Sequence, residues 1–148
     1  MSYQYIAGMF DGEGTLSIFR HHAPSFRKNI KRGYAREFRL NIANTNLDVI
    51  LEIKKFLGYG EIITHKHANC FSFSIRFCPT QLRILLPKIL PYLIIKKDLT
   101  MIMFEALTTV KNFKIPIKRR EEILLQLEEK FWAFKKTMKP YLCDDYAT

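Results

Sequence analysis

Apolar and polar side chains alternate strictly between Glu37 and Asn44. Phe38, Leu40 and Ile42 fall on one side, and Glu37, Arg39, Asn41 and Ala43 on the other, the period of a half-buried strand. Phe71, Phe73, Ile75 and Phe77 alternate in the same way with Ser72, Ser74 and Arg76. Thr15-Leu-Ser-Ile-Phe19 is a shorter run of this kind, and residues 61–67 make a fourth strand joined to 70–78 across Ala68-Asn69. Elsewhere the period is helical. Asn46 or Asp48 can cap a helix to about Leu57 with Leu47, Ile50, Leu51, Ile53 and Leu57 as its apolar stripe, ended by Gly58-Tyr-Gly60. Thr80 is placed to cap a helix through about Leu90, which Pro87 must kink or split. Lys97 or Asp98 opens another to about Lys111, and Arg119 to about Met138 forms the last, amphipathic through Ile123, Leu127, Phe131 and Phe134. The pieces sum to an α+β fold: an αββαββα core whose four antiparallel strands carry helices on one face, plus additional C-terminal helices. With no internal repeat, low-complexity tract or linker, residues 1–148 are expected to form one domain, with 112–148 its helical extension.

The first helix ends in an unusual way. Ile6-Ala-Gly-Met-Phe-Asp-Gly-Glu-Gly14 is an apolar segment running straight into two carboxylates. Gly8 and Gly12, four apart, share a helical face that a second backbone can approach closely. Asp11 and Glu13 fall where Gly12 and Gly14 must break the helix. Two such helices packed together would bring carboxylates side by side, an arrangement suited to a divalent metal.

Charge narrows the partner. Twenty-four Lys and Arg against 14 Asp and Glu give a formal net charge of +10, which favours a polyanion, nucleic acid before membrane. No apolar run approaches the roughly 18 residues of a transmembrane span, and no basic-then-apolar leader is visible, so an intracellular place is expected: cytoplasm, nucleoid or organelle matrix, with no membrane partner. Cys70, Cys78 and Cys143, odd in number and unevenly spaced, fit reduced thiols better than a zinc site or disulfides, and Cys70 and Cys78 read as small strand residues.

An antiparallel sheet with helices on one face leaves the other open. That face collects Arg39, Asn41, Ser72, Ser74, Arg76, His65 and His67, side chains able to hydrogen-bond base edges or phosphates. Thr15, Ser17, Arg20 and His21 are expected to extend it, and the basic hairpin of residues 20–39, with Arg27, Lys28, Lys31, Arg32 and Arg36, would continue it along a duplex.

Residues 6–14 resemble the LAGLIDADG motif of homing endonucleases. Six of the nine positions agree by letter, by acidic equivalence or nearly so: Ile6, Ala7, Gly8, Asp11, Glu13 and Gly14. Phe38-Arg-Leu-Asn-Ile-Ala-Asn44 resembles the family's second strand, and Pro91-Tyr-Leu-Ile-Ile-Lys96 the turn before its next helix, so the resemblance spans residues 5 to about 110. It implies the same αββαββα layout with a sheet saddle on DNA. Glu13 then takes the metal-binding role with the backbone carbonyl of Gly12, and Asp11 a structural one at the helix base. Asn44 falls where a polar residue orders water near the scissile phosphate. Lys96 falls on a lysine that points into the active site. Ala7, Gly8, Phe10, Asp11 and Gly12 would form the helix contact between subunits. No second acidic, glycine-rich copy of the motif exists in the chain, so two chains must pair. The expected activity is that of a metal-dependent endonuclease cutting both strands of a long pseudo-palindromic duplex. Mg²⁺ suits the hard oxygen donors, Mn²⁺ is a plausible substitute, and no small-molecule cofactor is expected. A LAGLIDADG-type intron maturase or non-cleaving DNA binder is the alternative, and an unrelated basic binding module a third.

Overall fold

The structure, a computed structural model, describes residues 1–22 and 34–138. Helix α1 (Tyr3–Glu13) begins at Ser2, whose hydroxyl accepts the Tyr5 amide at 3.2 Å. It passes directly into strand β1 (Gly14–His22), which pairs with β2 (Tyr34–Asn44). Gly14 is obligatory at that junction, because a Cβ there would overlap the Phe10 ring. Asn46 caps α2 (Leu47–Leu57) by accepting the Asp48 amide at 2.9 Å, a bond of about 1 kcal/mol. Gly58 closes α2 in the left-handed conformation, φ 79°. Strands β3 (Glu61–Lys66) and β4 (Phe71–Arg76) follow. Then come α3 (Pro79–Ile89), a 3-10 turn (Leu90–Tyr92), α4 (Lys97–Lys111) and α5 (Ile117–Met138).

The sheet order is β1-β2-β4-β3, every neighbour antiparallel. Its covered face carries Leu16, Ile18, Phe38, Leu40, Ile42 and Ile75. These join one core with Ile6 and Phe10 of α1, Ile50 and Ile53 of α2, Leu85 and Leu86 of α3, and Met103 and Leu107 of α4. Leu124, Leu127 and Phe131 place α5 in the same core. No helix among the described residues is long and apolar enough to cross a membrane.

Local details depart from the sequence pattern for identifiable reasons. Leu47 and Leu51 are exposed, because they lie on the face of α2 next to the one that buries Ile50 and Ile53. Phe71 faces the helical side by register yet is exposed. Pro87 neither splits nor ends α3, which continues to Ile89 before tightening into the 3-10 turn. Cys78, not Thr80, precedes the helix, and its amide donates to Gln81 Oε1 at 3.1 Å.

Candidate active site and nucleic-acid interface

The end of α1 is held from two sides. The Asp11 carboxylate accepts the backbone N–H groups of Ile94 at 2.7 Å and Lys96 at 2.9 Å. The Lys96 ammonium in turn donates to the carbonyls of Phe10, at 2.9 Å, and Asp11. Burial pushes the Lys96 pKa down, and the charge of Asp11 opposes that shift. A cation on the last carbonyls of a helix meets the negative end of the macrodipole, here adding to the Gly14 amide that already donates to the Phe10 carbonyl. Lys96 therefore clamps α1 one turn before Glu13, a position the sequence assigned only to the reacting centre.

Glu13, the last residue of α1, is exposed. Asn44 Nδ2 donates to Glu13 Oε2 at 3.1 Å, while Asn44 Oδ1 accepts the Asn46 amide at 2.8 Å. The end of β2 and the turn into α2 thus aim one amide group at one carboxylate. Glu13 with the carbonyl of Gly12 at the helix end supplies hard oxygens of the kind Mg²⁺ takes alongside several waters. No three His, Cys, Asp or Glu residues converge among the described residues.

Gly8 and Gly12 are exposed, and a Cβ at either would meet nothing within 4 Å. That part of α1 is open to a second backbone. Ala7 and Phe10 correct the expected contact set: both are fully buried in the chain's own core, on the opposite side of the helix. Asp11 is occupied by the 93–96 turn. Sequence reasoning missed Ile94 and Ile95, which stand 86% and 61% exposed beside Asp11. Two isoleucines in a turn, immediately before two lysines, were the available signal.

The open face of the sheet holds Thr15, Ser17, Arg39, Asn41, Ser72, Ser74, Arg76 and His65, as the strand registers require, and His67, just past β3, reaches it through Ser72. His65 Nε2 lies 3.0 Å from Ser74 Oγ, and His67 Nε2 2.8 Å from Ser72 Oγ. Arg39 donates to Glu37 Oε1 at 2.7 Å and lies over the Phe19 ring, 4.7 Å from its centroid. Arg39 Nε, Asn41 Oδ1 and Arg76 Nε are buried atoms with no hydrogen-bond partner, and Asn41 and Arg76 are directly opposite in register. Three orphaned polar atoms in the middle of one face suit a ligand that brings complementary donors and acceptors.

Arg20 and Arg36 are corrections. They share the parity of Ile18 and Phe38 and point to the helical side, where Glu128 of α5 receives both guanidinium groups. Arg27, Lys28, Lys31, Arg32, Cys143 and the side chain of His21 lie outside the described residues. A concavity between α4 and α5, lined by Met101, Phe104 and Phe134, contains none of the site residues.

Fold and site together define a class: an α+β protein with an open antiparallel sheet beside a glycine-bearing first helix that ends in an acid. The chain belongs to the LAGLIDADG endonuclease family, whose profile matches residues 6–108. Among solved structures it is similar to the archaeal intron-encoded homing endonuclease I-Vdi141I complexed with DNA, at 20% identity and TM-score 0.71, over 88% of this chain and 82% of that one. The homing endonuclease I-CvuI, in complex with its target in the presence of calcium, is 22% identical with TM-score 0.64, over 88% and 80% of the two chains. I-SmaMI, bound to an uncleaved DNA target with calcium ions, is 20% identical with TM-score 0.70 over 88% of this chain but only 45% of its own. At these identities the likeness carries the fold. No curated protein matches in sequence.

Proposed function

We propose that the chain is a site-specific endonuclease for double-stranded DNA, working as a homodimer with a divalent metal, Mg²⁺ or Mn²⁺ in its place. The observation that carries this reading is the single carboxylate of Glu13, aimed by Asn44 at the end of a helix whose Gly8 and Gly12 leave an open face. One chain supplies half the acidic donors, and a twofold mate supplies the rest. The similar I-CvuI complexes with DNA targets, in the presence of calcium or magnesium, support the substrate and the metal class. Residues 1–148 then act as one unit in a compartment that holds DNA.

Each residue has a task in this reading. The open sheet face lies on the duplex, with Arg39, Asn41 and Arg76 reading base edges and the surrounding hydroxyl and imidazole groups filling in contacts. Asn44 fixes the orientation of the Glu13 carboxylate. Asp11 and Lys96 keep the helix end from fraying, and the Lys96 charge offsets part of the acid cluster. A metal held by Glu13 and the Gly12 carbonyl would supply charge neutralisation at the attacked phosphate and a more acidic water.

Glu13→Gln keeps size and hydrogen-bonding capacity but removes the charge. Cleavage of a selected duplex should vanish, whereas gel-shift binding should persist. Ca²⁺ should support binding without cutting, because its larger and looser coordination misplaces water. Light scattering should show a species of twice 17.5 kDa, which Gly8→Leu breaks by overpacking the closest helix contact. Full cleavage by Glu13→Gln, or activity in a compact monomer, would overturn the reading.

A further inference from the structure

Strand β2 meets β4 only through Asn41–Asn44, whereas the β1–β2 ladder runs from Gly14↔Ile42 to His22↔Tyr34. Residues 34–40 of β2 and their partners in β1 therefore form a two-stranded ribbon, an element of marginal stability unless something packs against it. Leu16, Ile18, Phe38 and Leu40 bury its near part. One step farther out, the same face presents Arg20 directly opposite Arg36. Like charges in that relation repel.

Helix α5 resolves the conflict. Glu128, 5% exposed, accepts Arg20 Nε at 3.1 Å, Arg20 Nη2, and Arg36 Nε at 2.7 Å. Glu121 accepts Arg36 Nη2 at 2.9 Å, and the Arg36 side chain is only 4% exposed. Lys135 donates to the Leu16 carbonyl at the near end of the ribbon. Burial pushes the Glu128 pKa up, but the hydrogen bonds from Arg20 and Arg36 outweigh it and hold the carboxyl below its ordinary value. All three contacts come from beyond residue 108, where the family match ends.

We propose that α5 is a brace that fixes the angle of the β1–β2 ribbon on DNA, and that Glu128 is its positioning residue, joining Arg20 and Arg36 across the two strands. The role in DNA reading rests on the function proposed above. A ribbon already fixed before binding avoids the cost of ordering it on the duplex. The outward side chains Ser17, Phe19, Glu37 and Arg39 inherit that order, because they alternate with the braced ones. The ribbon leads away from Glu13, so the brace governs base pairs remote from the cut.

The test compares Glu128→Gln with the triple variant Arg20→Met, Arg36→Met, Glu128→Met, measuring amide hydrogen exchange in the free protein and selection from a randomised duplex library. For Glu128→Gln, exchange should quicken in residues 15–22 and 34–40 and stay slow in β3 and β4. Discrimination should fall about tenfold at base pairs remote from the cut and hold near it. The triple variant should restore both, since apolar residues can replace the buried Arg36–Glu128 pair together with the part-exposed Arg20. Unchanged exchange and selection in Glu128→Gln would overturn the proposal. So would a triple variant with a slow-exchanging ribbon that still selects poorly, which would assign the arginines to phosphates. If Glu128→Gln does not fold, Glu128→Asp must show the same ribbon-confined exchange, and acceleration spread over the whole sheet overturns the brace. Absence of selective DNA binding by the unaltered protein would refute the proposed function, and the exchange measurement would still decide the brace.

Discussion

Four arginines sit on one sheet, two on each face, and their surroundings differ in kind. Arg20 and Arg36 face α5, where Glu128 receives both guanidinium groups and Glu121 takes Arg36 as well. Arg39 and Arg76 face outward, each with an Nε that has no partner, and Arg39 shares a single carboxylate, Glu37. The inward pair is neutralised by side chains 85 to 108 positions away in the chain. The outward pair is left with hydrogen-bonding capacity to spend on a ligand. Net positive charge reports on both and distinguishes neither. What separates them is the parity of the strand.

The sharpest way to break this comparison is to remove Arg36. With Arg36→Met, Glu121 loses Arg36 and Glu128 is left with Arg20, and stability should fall by about 1.5–3 kcal/mol, the range for hydrogen bonds to charged groups. Urea unfolding measures it, and a loss near zero would mean that the inward cluster carries no stability. Arg39→Ala and Arg76→Ala should instead leave unfolding nearly unchanged while costing about 1–3 kcal/mol of discrimination at particular base pairs. Binding to single-base variants of the duplex reads this out, and equal weakening for every sequence would make them phosphate contacts.

Acid should separate the faces as well. Because the folded-state pKa of Glu128 is depressed, its contribution is fully present above the ordinary carboxylate value of 4.5 and is lost as pH falls through the folded value. Unfolding free energy measured from pH 7 down to 3 should show this loss, and Glu128→Gln should lack that component. The smallest effect serves as the control. Arg119 and Glu122 pair at 3.0 Å on the surface, with both side chains 61% exposed, so Arg119→Ala should shift stability by no more than about 0.5 kcal/mol.

Much of this architecture was legible in the chain. Alternation located the strands, and the helical periods with their caps and glycines located the helices to within a few residues. Family resemblance put Asn44 near the reacting phosphate, but its hydrogen bond to Glu13 was not legible, since nothing local links positions 31 residues apart. Arg20 and Arg36 depart from the charge-based expectation because strand alternation outweighs charge; the faces that bury Ile18 and Phe38 carry both arginines inward. The partner that receives both and makes the burial of Arg36 tolerable, Glu128, lies on a distant helix and leaves no trace in the strand pattern. Ala7 and Phe10 were misassigned for a related reason. A helix of 11 residues has two sides, and the motif's letters do not say which of them faces the chain's own core.

The four-residue seam between β2 and β4 has a consequence for how such a protein can change over time. Most of the ribbon hangs from the rest of the sheet by that seam, and the seam ends at Asn44, the residue that steadies Glu13. On the function proposed here, outward substitutions along residues 15–22 and 34–40 would alter what is recognised without passing through the groups that would cut. A lineage can then drift to a new target by single outward exchanges while its cutting centre stays intact, and retargeting by design has the same route open to it.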